Sequence, residues 1–272
     1  MHLVVHPVLN ADGRSFSYVL VNPASQRCAI VDPMLEYDPE LDQVTTDTAD
    51  RIIEFVSANA LIVEWILETR LHTGHLSAAR YLKSAFVCAQ IGIGSRVTEA
   101  RAKLSQYLDV SVASGLQGYD RLFEDQSRIC IGHACGRVLH VPGVAVDAVA
   151  YVFEGVALVG DLLAGSRATN SDGHCSLRSE RQLLALPEDT RLFVMRNESA
   201  PERQLRCVMT VAGLRQRESS GRQSGFANNI HGRAEASDRF TVRDQQMFGP
   251  SVHANLGGGV LPGWQMQLQQ SA

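Results

Sequence analysis

The apolar run Leu61-Ile62-Val63-Glu64-Trp65-Ile66-Leu67 constrains this chain most. It is short, and it stops at the polar pair Glu68-Thr69. Such a run suits a strand buried in the middle of a sheet, and that strand needs covering layers. The sequence supplies them. Residues 46–59 place Ala49, Ile52, Ile53 and Val56 at helical spacing, with Asp47 or Thr48 available as a cap. Residues 76–86, 97–108 and 177–186 also read as helices. Ser17–Val21 and Cys28–Val31 read as hairpin strands about the turn Asn22-Pro23-Ala24-Ser25. Further strand signals fall at 87–93, 137–141, 148–153, 156–159 and 191–195. Strands alternating with helices, with hairpins among them, predict a layered α/β fold with mixed sheets.

Composition fits that class. Of 272 residues, 45% are hydrophobic and 20% charged, enough apolar content for a core. The formal net charge of −4 argues against nucleic acid, which rewards a clustered basic surface. No stretch approaches the roughly 18 apolar residues of a membrane helix, and Met-His-Leu-Val-Val-His-Pro lacks the features of a signal peptide. The expectation is a cytoplasmic protein without membrane or nucleic-acid partners. The six cysteines, at 28, 88, 130, 135, 175 and 207, form no C-x-x-C pair and are expected to be reduced thiols. Residues 201–272, rich in Arg, Ser, Gln, Gly and Asn, read as an irregular extension of a core spanning 1–200.

Ligands of α/β folds gather where strands end. Here that position holds Thr69-Arg70-Leu71-His72-Thr73-Gly74-His75, followed by Leu76-Ser77-Ala78-Ala79. Together with Val31-Asp32-Pro33, Gly92-Ile93-Gly94, Pro142-Gly143 and Val159-Gly160-Asp161, this segment resembles the metallo-β-lactamase fold superfamily. More narrowly, it is similar to the persulfide dioxygenase branch, relatives of glyoxalase II. The resemblance covers roughly residues 10–200. It implies a four-layer αβ/βα sandwich of two mixed β-sheets, and a homodimer.

The resemblance also implies a metal signature, Thr-His-x-His-x-Asp-His, that holds Fe or Zn. At the matching positions this chain has Arg70 for the first His and Gly74 for the Asp, with His72 and His75 retained. Val144 follows Pro142-Gly143 where the family has another His. Arg196 stands where a late His is usual, and the bridging Asp survives as Asp161. A guanidinium offers only donors and a valine has no ligand atom. No metal cofactor is therefore expected; if one binds, His72, His75 and Asp161 are its candidate ligands. An Arg70–Asp161 salt bridge is expected to take the place of iron, because an unpaired buried Asp161 is costly. Arg167 falls near the family arginine that contacts a glutathione carboxylate, so Arg70 and Arg167 are candidates to hold a small thiol or carboxylate.

Three functions follow as expectations: a metal-free, catalytically degenerate relative that binds a small ligand or a partner; a divergent metallo-hydrolase or sulfur-transfer enzyme on a rebuilt His72/His75/Asp161 site; or a dimeric scaffold. No nucleophile elbow and no phosphate loop is present in the sequence.

Overall fold

The computed structural model describes residues 2–38, 41, 43–108, 118–142, 145–162, 173–196, 207–216 and 255. Val144 and Arg167 lie outside them, as does most of the segment after residue 200.

The strands are β1 (Val4–Leu9), β2 (Phe16–Asn22), β3 (Arg27–Val31), β4 (Met34–Asp38), β5 (Gln43–Thr45), β6 (Ile62–Leu67), β7 (Leu76–Ser77), β8 (Gln90–Gly94), β9 (Arg121–Phe123), β10 (Arg128–Ile131), β11 (Ala134–His140), β12 (Val149–Phe153), β13 (Val156–Gly160), β14 (Arg191–Val194) and β15 (Val208–Thr210). The helices are α1 (Asp47–Ala58), α2 (Ala79–Ala85), α3 (Val97–Leu108) and α4 (Gly173–Leu184). One sheet is ordered β1-β2-β3-β6-β8-β9 and the other β10-β11-β12-β13-β14-β15, with a small third sheet β5-β4-β7.

Alternation along the strands builds three apolar layers. Tyr18, Leu20, Val31 and Leu67 from the first sheet meet Val138, Tyr151, Leu158 and Phe193 from the second. The opposite face of the first sheet, including Val19 and Ile30, packs on Ile52 and Val56 of α1 and Leu82 of α2. Leu183 of α4 covers Val152, Val159 and Leu192 on the outer face of the second sheet. Helix, sheet, sheet, helix is the expected αβ/βα sandwich. Strand β6 is central and runs parallel to β3 and β8, as its apolar run requires.

Two expectations are corrected. The helix read over 76–86 begins later, because Leu76 and Ser77 pair with Leu35 and Met34 as a short strand. The expectation of six reduced cysteines fails at Cys130 and Cys135, which form a disulfide. Strand β10 carries no strong sequence signal, yet the Gly132–His133 turn pairs β10 with β11 and sets the two cysteines directly opposite one another. The described parts of the segment after 200 join the core: β15 completes the second sheet along β14, and Asn255 is buried.

Candidate functional site

Parallel strands bring the site together at their carboxyl ends. Asp32 follows β3, Glu68 to Arg70 follow β6, Asp161 follows β13 and Arg196 lies just beyond β14. The two sheets therefore contribute opposite walls of one cleft.

Asp32 anchors the first wall. Its φ of +48° is a left-handed conformation that aspartate tolerates better than most residues. Its carboxylate accepts the Thr69 backbone N–H at 2.7 Å and the Thr69 hydroxyl at 2.8 Å. It also lies 3.1 Å from His72 Nε2. Burial pushes the Asp32 carboxyl up to about 7, against the lowering hydrogen bonds from Thr69. His72 Nδ1, on the other side of the ring, lies 3.9 Å from Asp161. A carboxylate behind a histidine is how ligating imidazoles are oriented.

Arg70 stands where the resemblance implies a histidine. Its Nη2 donates to Asp161 Oδ2 at 2.7 Å and its Nε to the same oxygen at 3.3 Å. Both side chains are largely buried, 16% and 6% exposed. Burial alone would raise the Asp161 carboxyl; the charges of Arg70 and Arg196 outweigh it and hold the group below the ordinary carboxylate range. The same burial and cations push His72 and His75 well below the usual histidine range, so both are neutral. Their rings pack with centroids 4.0 Å apart. Arg196 reaches the Gly74 carbonyl at 3.4 Å, and a Cβ added at Gly74 would meet Arg196 Nη2 at 3.3 Å. The bare backbone at Gly74 thus matches the guanidinium that packs against it.

Residues without an assigned role in the sequence reading complete the cleft. Glu68 accepts a hydrogen bond from the Ser77 hydroxyl, and burial together with the Asp32 charge raises its carboxyl well above normal. Across the sheet interface, Tyr151 donates to the Glu68 carbonyl at 2.8 Å and Asp147 accepts the Leu71 N–H at 2.6 Å. Asn255 donates to the carbonyls of His72 and His75, each at 2.8 Å, and accepts the Ser77 N–H at 3.0 Å. No local signal marks Asn255, which comes from 178 residues beyond Ser77. Glu68 could have been noticed at the end of the β6 run.

Arg70, His72, His75, Asp161 and Arg196 are therefore neighbours. Among the described residues, the donor atoms that group within 4.8 Å of one another belong to Glu68, His72 and His75, while Asp161 is engaged by Arg70. The residues do not fit the metal centre that the resemblance implies. Two of its positions carry guanidinium groups, and these adjoin the remaining donors. A dication at that place would face their repulsion.

The chain is 30% identical over 267 residues to the "Probable metallo-hydrolase" of Burkholderia pseudomallei (strain 1710b), covering 91% of this chain and 90% of that protein. It is 28% identical over 254 residues to "Glyoxylase B2" of Dictyostelium discoideum, covering 90% and 87%. Among solved structures, that of ETHE1 from Myxococcus xanthus superposes with a TM-score of 0.68 at 16% identity, over 94% of this chain and all of that one. No family model matches. The chain belongs to the metallo-hydrolase family of the metallo-β-lactamase fold superfamily.

Proposed function

We propose that this chain is a metal-independent, catalytically silent member of its family. It binds a small carboxylate or thiol, or a protein partner, and does not turn over a substrate at a metal. The observation that carries this reading is the 2.7 Å pair between Arg70 and Asp161. A fixed guanidinium neutralises the surviving carboxylate, a task that a metal ion performs where the family's donors are intact. Arg196 supplies a second positive charge beside His72, His75 and Asp161. Glu68, Arg70, Leu71, His72, Ser77 and Tyr119 are among the residues lining a cavity of about 10 Å³, room for about one water. A ligand therefore belongs outside the ion pair, with Arg70 and Arg196 as fixed positive charge behind it. The resemblance adds a homodimer to this reading.

Metal content tests it. Purified full-length protein incubated with Fe(II), Zn(II) or Mn(II) and then desalted is expected to retain far less than one ion per chain. The iron-treated sample is expected to show no persulfide-dependent oxygen uptake. The variant R70H/G74D/V144H/R196H, which restores the donors implied by the resemblance, is expected to retain metal. About one tightly held ion in the unmodified chain would overturn the proposal.

That result would favour a second reading, which rests on the buried Glu68, His72 and His75 group. Two neutral imidazoles and a carboxylate are a competent zinc donor set. In that case E68Q would abolish retention.

A further inference from the structure

Away from the cleft, the edge hairpin of the second sheet carries an arrangement that the family site does not use. In its antiparallel register Arg128 lies opposite Arg137, and Cys130 lies opposite Cys135. Residues two apart share a face. The four side chains therefore form one block, with a pair of arginines beside a pair of cysteines. The other face carries Ile129, Ile131 and Ala134 into the inter-sheet core. Arg128, Cys135 and Arg137 are exposed and Cys130 is half-buried. The Cys130–Cys135 disulfide thus lies on the solvent face of an edge strand. Cys135 also lines a surface cleft of about 260 Å³ with Leu3, His133, Ala134, Phe153 and Glu154. Arg128 Nη2 is 3.2 Å from Cys135 Sγ.

We propose that the Cys130–Cys135 pair is a thiol–disulfide exchange site for small anionic thiols, those carrying carboxylates beside the sulfur. Exposure selects Cys135 as the sulfur attacked. An incoming thiolate forms a mixed disulfide with Cys135 and displaces the Cys130 thiolate. A second thiolate attacks the incoming sulfur of that mixed disulfide, which releases a small-molecule disulfide and the Cys135 thiolate. In sum, two small thiols are oxidised to one disulfide and the protein disulfide is reduced to two thiols. The reverse sequence re-forms the protein disulfide, with Cys135 as the nucleophile.

Electrostatics sets the preference. A thiolate is the reacting species; the guanidinium within contact of Cys135 attracts the incoming anionic thiolate and, in the reverse direction, favours the Cys135 thiolate that attacks. The block presents Arg128 and Arg137. Facing it are Glu154 in the cleft, the turn residue His133, and Glu64 behind the turn, which is engaged by Arg27 and the Gly132 N–H. The two arginines exceed the one carboxylate that lines the cleft.

The test follows reduction of the Cys130–Cys135 disulfide in the full-length protein by differential alkylation and peptide mass spectrometry. The probes are glutathione, which is anionic, and 2-mercaptoethanol, which is neutral. The expected result is a bond between Cys130 and Cys135 in air-oxidised protein, and a glutathione rate that falls with added salt while the 2-mercaptoethanol rate does not. R128E/R137E is expected to slow glutathione about tenfold and to change 2-mercaptoethanol by less than about twofold. C130S treated with glutathione disulfide is expected to accumulate a glutathione mixed disulfide on Cys135, with one glutathione thiolate released. Free alkylation of both cysteines without reductant would overturn the proposal. So would a glutathione rate indifferent to salt and to the charge reversal. This test reads a hairpin remote from Arg70 and Asp161, so its outcome is independent of the metal measurement.

Discussion

Arg70 brings a permanent charge into a place with little water, and that charge is tolerable only because Asp161 faces it. Breaking such a buried pair costs more than the pair contributes, because the remaining partner is left uncompensated. R70M is therefore expected to lower unfolding free energy by about 3–5 kcal/mol in urea titrations, and D161N by a similar amount. The double variant R70M/D161N removes both charges, and it is expected to lose clearly less than the sum of the single changes. Simple additivity in that cycle would show that the two side chains do not depend on one another. Asp32 illustrates the same logic through hydrogen bonds. Its carboxylate is buried, raised to about 7, and held by Thr69 and His72. The sequence segment Val31-Asp32-Pro33 places it at a strand end, but only the fold shows that it pairs with His72.

Strand β13 ends on Gly160, whose φ of +56° breaks the register between Leu158 and Gly160 and aims Asp161 at Arg70. A Cβ there would lie 2.3 Å from the Thr69 hydroxyl oxygen, the group that holds Asp32. Gly155 also has a positive φ, +71°, but nothing lies within 4 Å of its missing Cβ. G155A is expected to cost about 1 kcal/mol for left-handed strain alone. G160A is expected to cost more, by at least about 1 kcal/mol, because Thr69 must also move. Equal effects in thermal or urea unfolding would mean that the Gly160–Thr69 contact is not a constraint. Among the elements, α1 and β6 are legible because their apolar periods are long or dense. Strands β10 and β15 are not, since each is short and gains its place by pairing with a stronger neighbour.

The two sheets are tied by polar groups as well as by apolar contact. Tyr18 of β2 crosses the interface, and its hydroxyl donates to the Val194 carbonyl and lies 3.2 Å from that of Cys207. Burial, then the charges of Cys207 and Asp32, raises the Tyr18 phenol far above its ordinary value. Burial likewise pushes the Cys28 thiol up to about 12. A folded-state pKa above the unfolded one means that the folded chain keeps its proton longer. The stability contributed is then complete below the unfolded value, about 8.5 for cysteine and about 10 for tyrosine, and is lost as pH rises toward the folded value. Unfolding free energy is expected to decline from about pH 8.5 upward. Y18F is expected to be less stable at pH 7 by about 1–3 kcal/mol, through the loss of a donor to buried carbonyls. It is also expected to decline less steeply between about pH 9 and 11. A parallel decline in both proteins would remove Tyr18 as a cause.

By itself the sequence determined the layered α/β class, because strand and helix periods are local properties of side-chain spacing. It also determined that Arg70, Gly74 and Arg196 stand where the resemblance places ligands, because identity at a motif position needs no geometry. Tertiary structure decided what those changes amount to. It set Arg70 against Asp161 across two sheets, packed Arg196 on the bare Gly74 backbone, gathered Glu68 with the two histidines, and brought Asn255 to the histidine loop. It also decided that Cys130 and Cys135 meet, because strand register fixes which residues face one another and a weak strand has no register until its partner supplies one.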